Sequence, residues 1–112
     1  MKGDLLYLQH MYEAVSASIE YTSGGRDAFF SQKLIQDAVF RNLEVLGEAV
    51  KNISPELRDA HPEIPWKKIA GLRDILIHQY FGIDLEAIWN VVEIRLPIFK
   101  AQIESLLGSL EK

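Results

Sequence analysis

Apolar residues in this chain recur at alternating spacings of three and four, and no other feature constrains the fold as tightly. Between Asp4 and about Tyr21, the residues Leu5, Leu8, Tyr12, Val15 and Ile19 fall on one stripe of an amphipathic helix. Thr22-Ser23-Gly24-Gly25 ends it, because paired glycines favour a turn. A second helix is predicted from about Asp27 or Ser31 to Asn52. Ile35, Ala38, Val39, Val45, Leu46 and Ala49 make one of its faces, and Phe40, Leu43 and Val50 another. A helix apolar on two sides is buried on two sides, so this one is central or contributes to a subunit interface. Gly47 lies between the faces. Glycine costs about 1 kcal/mol relative to alanine inside a helix, and the close approach of another helix would account for it.

Ser54-Pro55-Glu56 predicts a short helix, capped by Ser54 with Pro55 in its first turn. His61-Pro62-Glu63-Ile64-Pro65 breaks the chain again. Pro65 opens the next helix, anchored by Trp66, Ile69, Leu72 and Leu76 and ended by Gly82. Asp84 then caps a last helix striped by Leu85, Ile88, Val92, Leu96, Phe99, Ile103 and Leu106. Pro97 inside it should kink or split it. The β-branched residues follow helical spacing throughout, so the expectation is an all-α, up-down bundle of four or five helices, one domain over residues 1–112. The surplus apolar face of the second helix predicts a homodimer.

The chain has 112 residues, 48% of them hydrophobic, which suits one compact core. It has no cysteine, so disulfides and thiolate metal sites are excluded. No apolar run approaches the ~18 residues of a membrane span, and the first residues hold no sustained apolar stretch of the signal-peptide kind. The expected location is the cytoplasm, with no membrane partner. A net charge of −4 argues against a general, charge-driven nucleic-acid binder. It leaves room for a local basic site: Lys67, Lys68 and Arg73 lie together, with Arg58 a little upstream. The plainer alternative for the two lysines is a solvated helix face.

Most of the functional signal sits in Gly71-Leu72-Arg73-Asp74-Ile75-Leu76-Ile77-His78-Gln79-Tyr80-Phe81-Gly82. Charged residues rarely interrupt a core-forming helix without a partner or a task. Asp74 and His78 are four apart, so the carboxylate can hold the imidazole in one tautomer. Arg73 and Tyr80 are seven apart and share a face. Arg73 and His78 are five apart, about 140° around an ideal helix and ~7.5 Å along it. That offset is awkward for a tight pair. Three arrangements resolve it: the arginine bends across, the helix unwinds near His78, or two copies of the motif meet across a dimer axis. Chemically, the set suits metal-free RNA cleavage. His78 would serve as general base on a 2′-hydroxyl or general acid on the leaving oxygen, and Arg73 would neutralise charge on the phosphate. An ordinary Arg–Asp pair beside an internally satisfied histidine fits the spacing as well, and spacing alone favours it.

The residues around the motif resemble a known family. Arg73, Asp74, His78 and Tyr80 match the R-x4-H-x-Y motif, with its polar residue after the arginine, of the HepT-like HEPN-domain proteins. These are the toxin halves of HepT–MntA toxin–antitoxin pairs. Ile35 to Val39 and Leu43 to Ala49 look like the family's second helix, and His61 to Trp66 resembles its approach segment. Tyr80 to Leu85, with Trp89, resembles the family's stretch after the motif histidine. The resemblance implies a HEPN-like, homodimeric helical bundle whose two motifs line a shared cleft. It implies a metal-independent endoribonuclease toxin of a type VII-like system, with RNA as substrate. It also implies a partner of the minimal nucleotidyltransferase type, an antitoxin that transfers AMP to the motif tyrosine, here Tyr80. Arg73 and His78 are then the catalytic residues, Asp74 the supporting one, and no cofactor is required. The alternative is a non-catalytic helical partner that binds substrate for a nucleotidyltransferase.

Other polar residues are weaker candidates. Asn42 and Glu48 suit inter-helix hydrogen bonds, or supports for the motif. His10 and His61 lack partners at metal-ligand spacing, so no metal site is expected. Trp66 and Trp89 read as core rather than as platforms for stacked bases.

Overall fold

The computed structural model describes residues 2–78 and 82–110, apart from the side chains of Lys2, Ile77 and His78. Its elements are α1 (Lys2–Tyr21), α2 (Arg26–Ser31), α3 (Lys33–Lys51), α4 (Pro55–Ala60), α5 (Trp66–His78), α6 (Leu85–Asn90), a π-helical turn over Val91–Arg95, and α7 (Leu96–Leu110). Among the described residues there is no strand, and no helix is long and apolar enough to cross a membrane. The architecture is the all-α bundle that the periodicity predicts.

The long helix α3 lies between α1 and α5, and α1 packs in turn on α7. Val39, Leu43, Leu46, Ala49 and Val50 of α3 are buried. Its two apolar faces are therefore covered largely within one chain, by α1 on one side and α5 on the other. This is the central placement that the pattern allowed, and it removes most of the surplus from which a dimer was expected. What remains exposed on α3 is Leu34, at 81%, and Val45.

The predicted second helix is in fact two. Gln32 is extended, with φ −120° and ψ 107°, and separates α2 from α3. The Gln36 amide donates back to the carbonyls of Phe29, at 2.9 Å, and Phe30, at 3.2 Å, which satisfies the end of α2 across the break. Phe29 is fully buried, 5.5 Å from the Trp89 ring. An exposed Arg26–Glu86 ion pair ties α2 to α6, and that hydrogen bond to Arg26 holds the Glu86 carboxyl below the usual glutamate range. Gly25 precedes α2 at φ 93°, a conformation that L side chains rarely adopt.

The buried stripe of α1 is rotated from the one that the apolar pattern suggests. Asp4, Leu8, Met11, Val15, Ser18 and Thr22 are buried, whereas Leu5, Tyr12 and Ile19 are only half-buried. Asp4 and Ser18 are polar, so hydrophobic periodicity passes over them. Each is satisfied: the Ser18 hydroxyl donates to the Ala14 carbonyl at 2.9 Å, and Asp4 accepts the Ser54 backbone N–H at 2.8 Å and its hydroxyl at 2.6 Å. The same Ser54 hydroxyl accepts from the Leu57 N–H at 3.2 Å and so caps α4, as predicted. Asp4 thus clamps the start of α1 to the α3–α4 junction.

Ahead of Pro97 the predicted last helix is divided into α6 and α7 by the π turn over Val91–Arg95, the split that the proline led one to expect. This five-residue turn hands the Leu96 N–H to the Val91 carbonyl, five residues back. The wider turn places Pro97 in the first turn of α7, where a missing N–H costs little. Asp84 caps α6 as expected, accepting from the N–H groups of Glu86 and Ala87. Trp66 and Trp89 are core residues at 7% and 8% exposure. The predicted Gly82 stop of α5 adjoins residues 79–81, which lie outside the described residues.

Replacing Asp4 by alanine removes both carboxylate acceptors from the half-buried Ser54 junction. Urea unfolding should show a loss of about 1–3 kcal/mol with little change in helical content.

Candidate active site

The site is built where α3 and α5 come closest. A Cβ placed on Gly47 would stand 2.8 Å from Arg73 Cβ, 3.2 Å from Arg73 N and 3.3 Å from the Ala70 carbonyl. Only a residue without a side chain lets α5 approach here, which is the role that the sequence suggested for Gly47. The contact fixes the base of the Arg73 side chain against the backbone of α3.

One residue further along α3, the Glu48 carboxylate receives Arg73 Nε at 3.0 Å. The terminal Arg73 Nη1 is 3.8 Å from Asp74 Oδ1, beyond hydrogen-bond distance. Arg73 is thus held by its Nε while one arm of its fork lacks a close carboxylate. Its side chain is 36% exposed, so the pair is weak, worth a fraction of a kcal/mol. A phosphate, which accepts paired charge-assisted hydrogen bonds, can displace or join such a carboxylate. Asp74 makes a second inter-helix contact, with Lys51 Nζ at 3.4 Å. Asn42 serves no such purpose: its amide donates to the Ala38 carbonyl within α3 at 2.8 Å.

Arg73 opens onto a cleft of about 300 Å³ shared by α1, α3 and α5. Tyr7 and His10 line it from α1, Arg41 and Glu48 from α3, and Asn52 from the position just after α3. The Tyr7 and His10 rings meet edge to face with centroids 6.1 Å apart. Nothing in the pattern of the motif pointed to Tyr7, His10 or Arg41. They lie on other helices, and only packing brings them beside Arg73.

Helix α5 runs unbroken to His78. The Asp74 and His78 backbones therefore sit one helical turn apart, and the offset from Arg73 to His78 is spanned by regular helix rather than by unwinding. Arg73 is turned towards α3. The His78 side chain and the whole of Tyr80 fall outside the described residues, so the geometry brings together Arg73, Asp74, Glu48 and Lys51. Among the described residues, no group of three or more His, Asp or Glu side chains is placed to hold a metal. His61 pairs with Glu63 at 3.2 Å in the loop before α5.

A family profile described as "Ribonuclease HepT-like" matches residues 10–106. The chain is 44% identical over its full length to a Methanocaldococcus jannaschii protein named "Gamma-glutamylcyclotransferase and putative RNase", of which it spans about half, 51%. It is 38% identical to a "Putative RNase" of Caldanaerobacter subterraneus, with 96% of each chain aligned. It is 42% identical to the "Probable ribonuclease HepT" of Thermococcus cleftensis, over 89% of this chain and 92% of that one. No solved structure matches the chain.

Gly47→Ala should destabilise the protein by about 1–3 kcal/mol despite alanine's better helix propensity, because the added methyl meets backbone as well as Arg73 Cβ. Chemical denaturation measures the loss. A stabilised variant would mean that α3 and α5 are not held this closely.

Proposed function

Because the chain belongs to the HepT-like ribonuclease family, we propose that it is an endoribonuclease toxin that cuts RNA without a metal ion, with Arg73 and His78 as its catalytic residues and Asp74 in support. The observation that carries this reading is the state of Arg73. It is a partly exposed guanidinium, braced at Nε by Glu48 and with Nη1 no closer than 3.8 Å to Asp74, on a helix that continues regularly to His78. In the reaction the 2′-oxygen of one nucleotide attacks the adjoining phosphorus and the bond to the 5′-oxygen breaks. This leaves a cyclic 2′,3′-phosphate and a free 5′-hydroxyl. One proton leaves the attacking oxygen and one reaches the departing oxygen, and His78 serves one of these transfers. Arg73 neutralises the charge that gathers on the phosphate oxygens. Asp74 lies one turn before His78 and orients the imidazole.

The active form is a homodimer in this reading. Leu34, Arg41, Val45 and Glu48 recur on one face of α3, and Leu34 and Val45 are exposed there. A second copy laid on that face would cover both and bring two Arg73 sites together. That would relieve the awkward offset between Arg73 and His78, since each arginine could work with the partner's motif. Stable interfaces bury roughly 1,200 Å² or more. Light scattering should report twice the chain mass at micromolar concentration, and a monomer would sink the shared-cleft arrangement.

Restraint comes from a minimal nucleotidyltransferase antitoxin that attaches AMP to the Tyr80 hydroxyl. Each AMP phosphodiester adds about one negative charge. Tyr80 lies seven residues from Arg73, so the added phosphate reaches the arginine and excludes RNA from it.

His78→Ala should lower RNA cleavage by ~10²–10⁴-fold and Arg73→Ala by ~10²–10³-fold, with melting behaviour unchanged and with full wild-type activity in EDTA. Full activity in His78→Ala, or loss of wild-type activity on chelation, overturns the mechanism. Co-expression with the partner enzyme should add mass in AMP units to the peptide carrying Tyr80. Tyr80→Phe should escape that mark, and equal labelling of the variant would refute the switch.

A further inference from the structure

Two features of α5 have no role in the fold or in the Arg73 cleft. The first is a groove of about 870 Å³ between α4 and the start of α5, lined by Pro55, Arg58, Asp59, Trp66, Lys67 and Lys68 among others. Arg26, Lys33, Lys51 and Arg73 each pair with a carboxylate. Among the described residues, Arg41, Arg58, Lys67, Lys68, Arg95 and Lys100 form no salt bridge, and three of these, Arg58, Lys67 and Lys68, share the groove with one acid, Asp59. An acidic protein thus gathers three unneutralised cations in one channel.

The second feature is Gly71. A helix-interior glycine is costly, and Gly47 is explained by the packing of Arg73 against it. A Cβ on Gly71 would meet nothing within 4 Å among the described residues. Nothing described within the chain requires this position to be bare. On α5, Lys67, Gly71, Asp74 and His78 recur at spacings of four, three and four, so they occupy one face. That face runs about 16 Å from Lys67 to His78 at 1.5 Å per residue. The bare position lies between the basic groove and the motif.

We infer that this face is a track for a single RNA strand, which enters through the Arg58–Lys67–Lys68 groove and crosses α5 at Gly71 to reach the motif. The inference rests on the ribonuclease reading above and adds to it a binding subsite remote from the cleavage position. Flexible lysines contact phosphates as point charges, which positions a strand without reading its bases. Gly71 lets the backbone of the strand lie against the helix, where any side chain would stand in its path. The groove also has an apolar floor, with Ile64, Pro65 and Ala70 beside Trp66, and the three cations among its lining favour a phosphate-bearing strand over an apolar protein segment.

The test uses the full chain, a fluorescently labelled 20-nucleotide RNA and an unlabelled RNA dinucleotide. The variants are Lys67→Gln/Lys68→Gln, Gly71→Gln, and Lys33→Gln as a control on the far end of α3. Anisotropy titrations should show the double variant binding the long RNA about tenfold more weakly, with a salt dependence shallower by about 1.4, at about 0.7 per lost phosphate contact. Long-RNA cleavage should show a raised KM and an unchanged kcat, and dinucleotide cleavage should stay at the wild-type rate, because only binding remote from the chemistry is lost. Gly71→Gln should be as helical and as heat-stable as wild type while binding the long RNA more weakly. Lys33→Gln should match wild type in every assay. If wild type binds long RNA and the groove and Gly71 variants bind it equally well, the track is wrong and the ribonuclease reading stands. If the variants lose binding but wild type cuts nothing, the track stands and the ribonuclease reading falls. If wild type binds no RNA, both fall.

Discussion

The close contact of Gly47 with Arg73 is the constraint on which the arrangement depends. It lets α5 lie against α3 along the helix that carries the motif. With the helices this near, the first carbon of the Arg73 side chain is pinned by backbone, and its Nε falls within reach of Glu48. An arginine carries many rotatable bonds, and holding it ordered costs entropy. Here that cost is offset at both ends of the side chain, by packing at the root and by a carboxylate near the head. The outer nitrogens are left towards the cleft. Larger residues at position 47 would move the whole motif helix outward.

Polar groups do more of the structural work than the composition suggests. The buried stripe of α1 begins with Asp4 and ends with Ser18 and Thr22, each paired to backbone or to Ser54. A buried polar group is costly only when it lacks a partner. Asp4 joins the first helix to the junction that leads into α4, and α4 forms one wall of the basic groove. The π turn before Pro97 works in a similar way. It absorbs a residue that cannot donate, so α7 continues and still buries Phe99, Ile103 and Leu106 against the bundle.

Charge is arranged unevenly over the surface. Carboxylates neutralise Arg26, Lys33 and Lys51, and Glu48 restrains Arg73. The cations of the basic groove, which have no such partners among the described residues, lie along the approach to the motif. A net charge of −4 repels polyanions at long range, and in the proposed track the local cations would act within a Debye length of the strand. In the proposed switch, AMP on Tyr80 would use the same principle, placing an anion where the substrate phosphate belongs.

The all-helical class, the turns at Gly24-Gly25 and His61 to Pro65, the caps at Ser54 and Asp84 and the core roles of the tryptophans were legible in the sequence. Each depends on residues near one another along the chain, where periodicity and capping chemistry operate. The motif of Arg73, Asp74, His78 and Tyr80 could be singled out because its members lie close together along one stretch of chain; its catalytic role is a proposal, and of its side chains the structure describes Arg73 and Asp74. The break at Gln32 was not, because it is stabilised by Gln36 reaching back to two carbonyls rather than by a glycine or proline. Nor was the rotation of α1, because the deciding residues are polar and Asp4 finds its partner on another element. The two faces of α3 were visible, but whether a neighbour in the same chain or a second copy covers them is decided by packing, and α1 and α5 cover most of both. Only the tertiary structure could join Glu48 to Arg73, set Tyr7 and His10 beside them, and leave Gly71 bare next to a basic groove. Those relations are distances between helices, and they are set by how closely side chains let backbones approach.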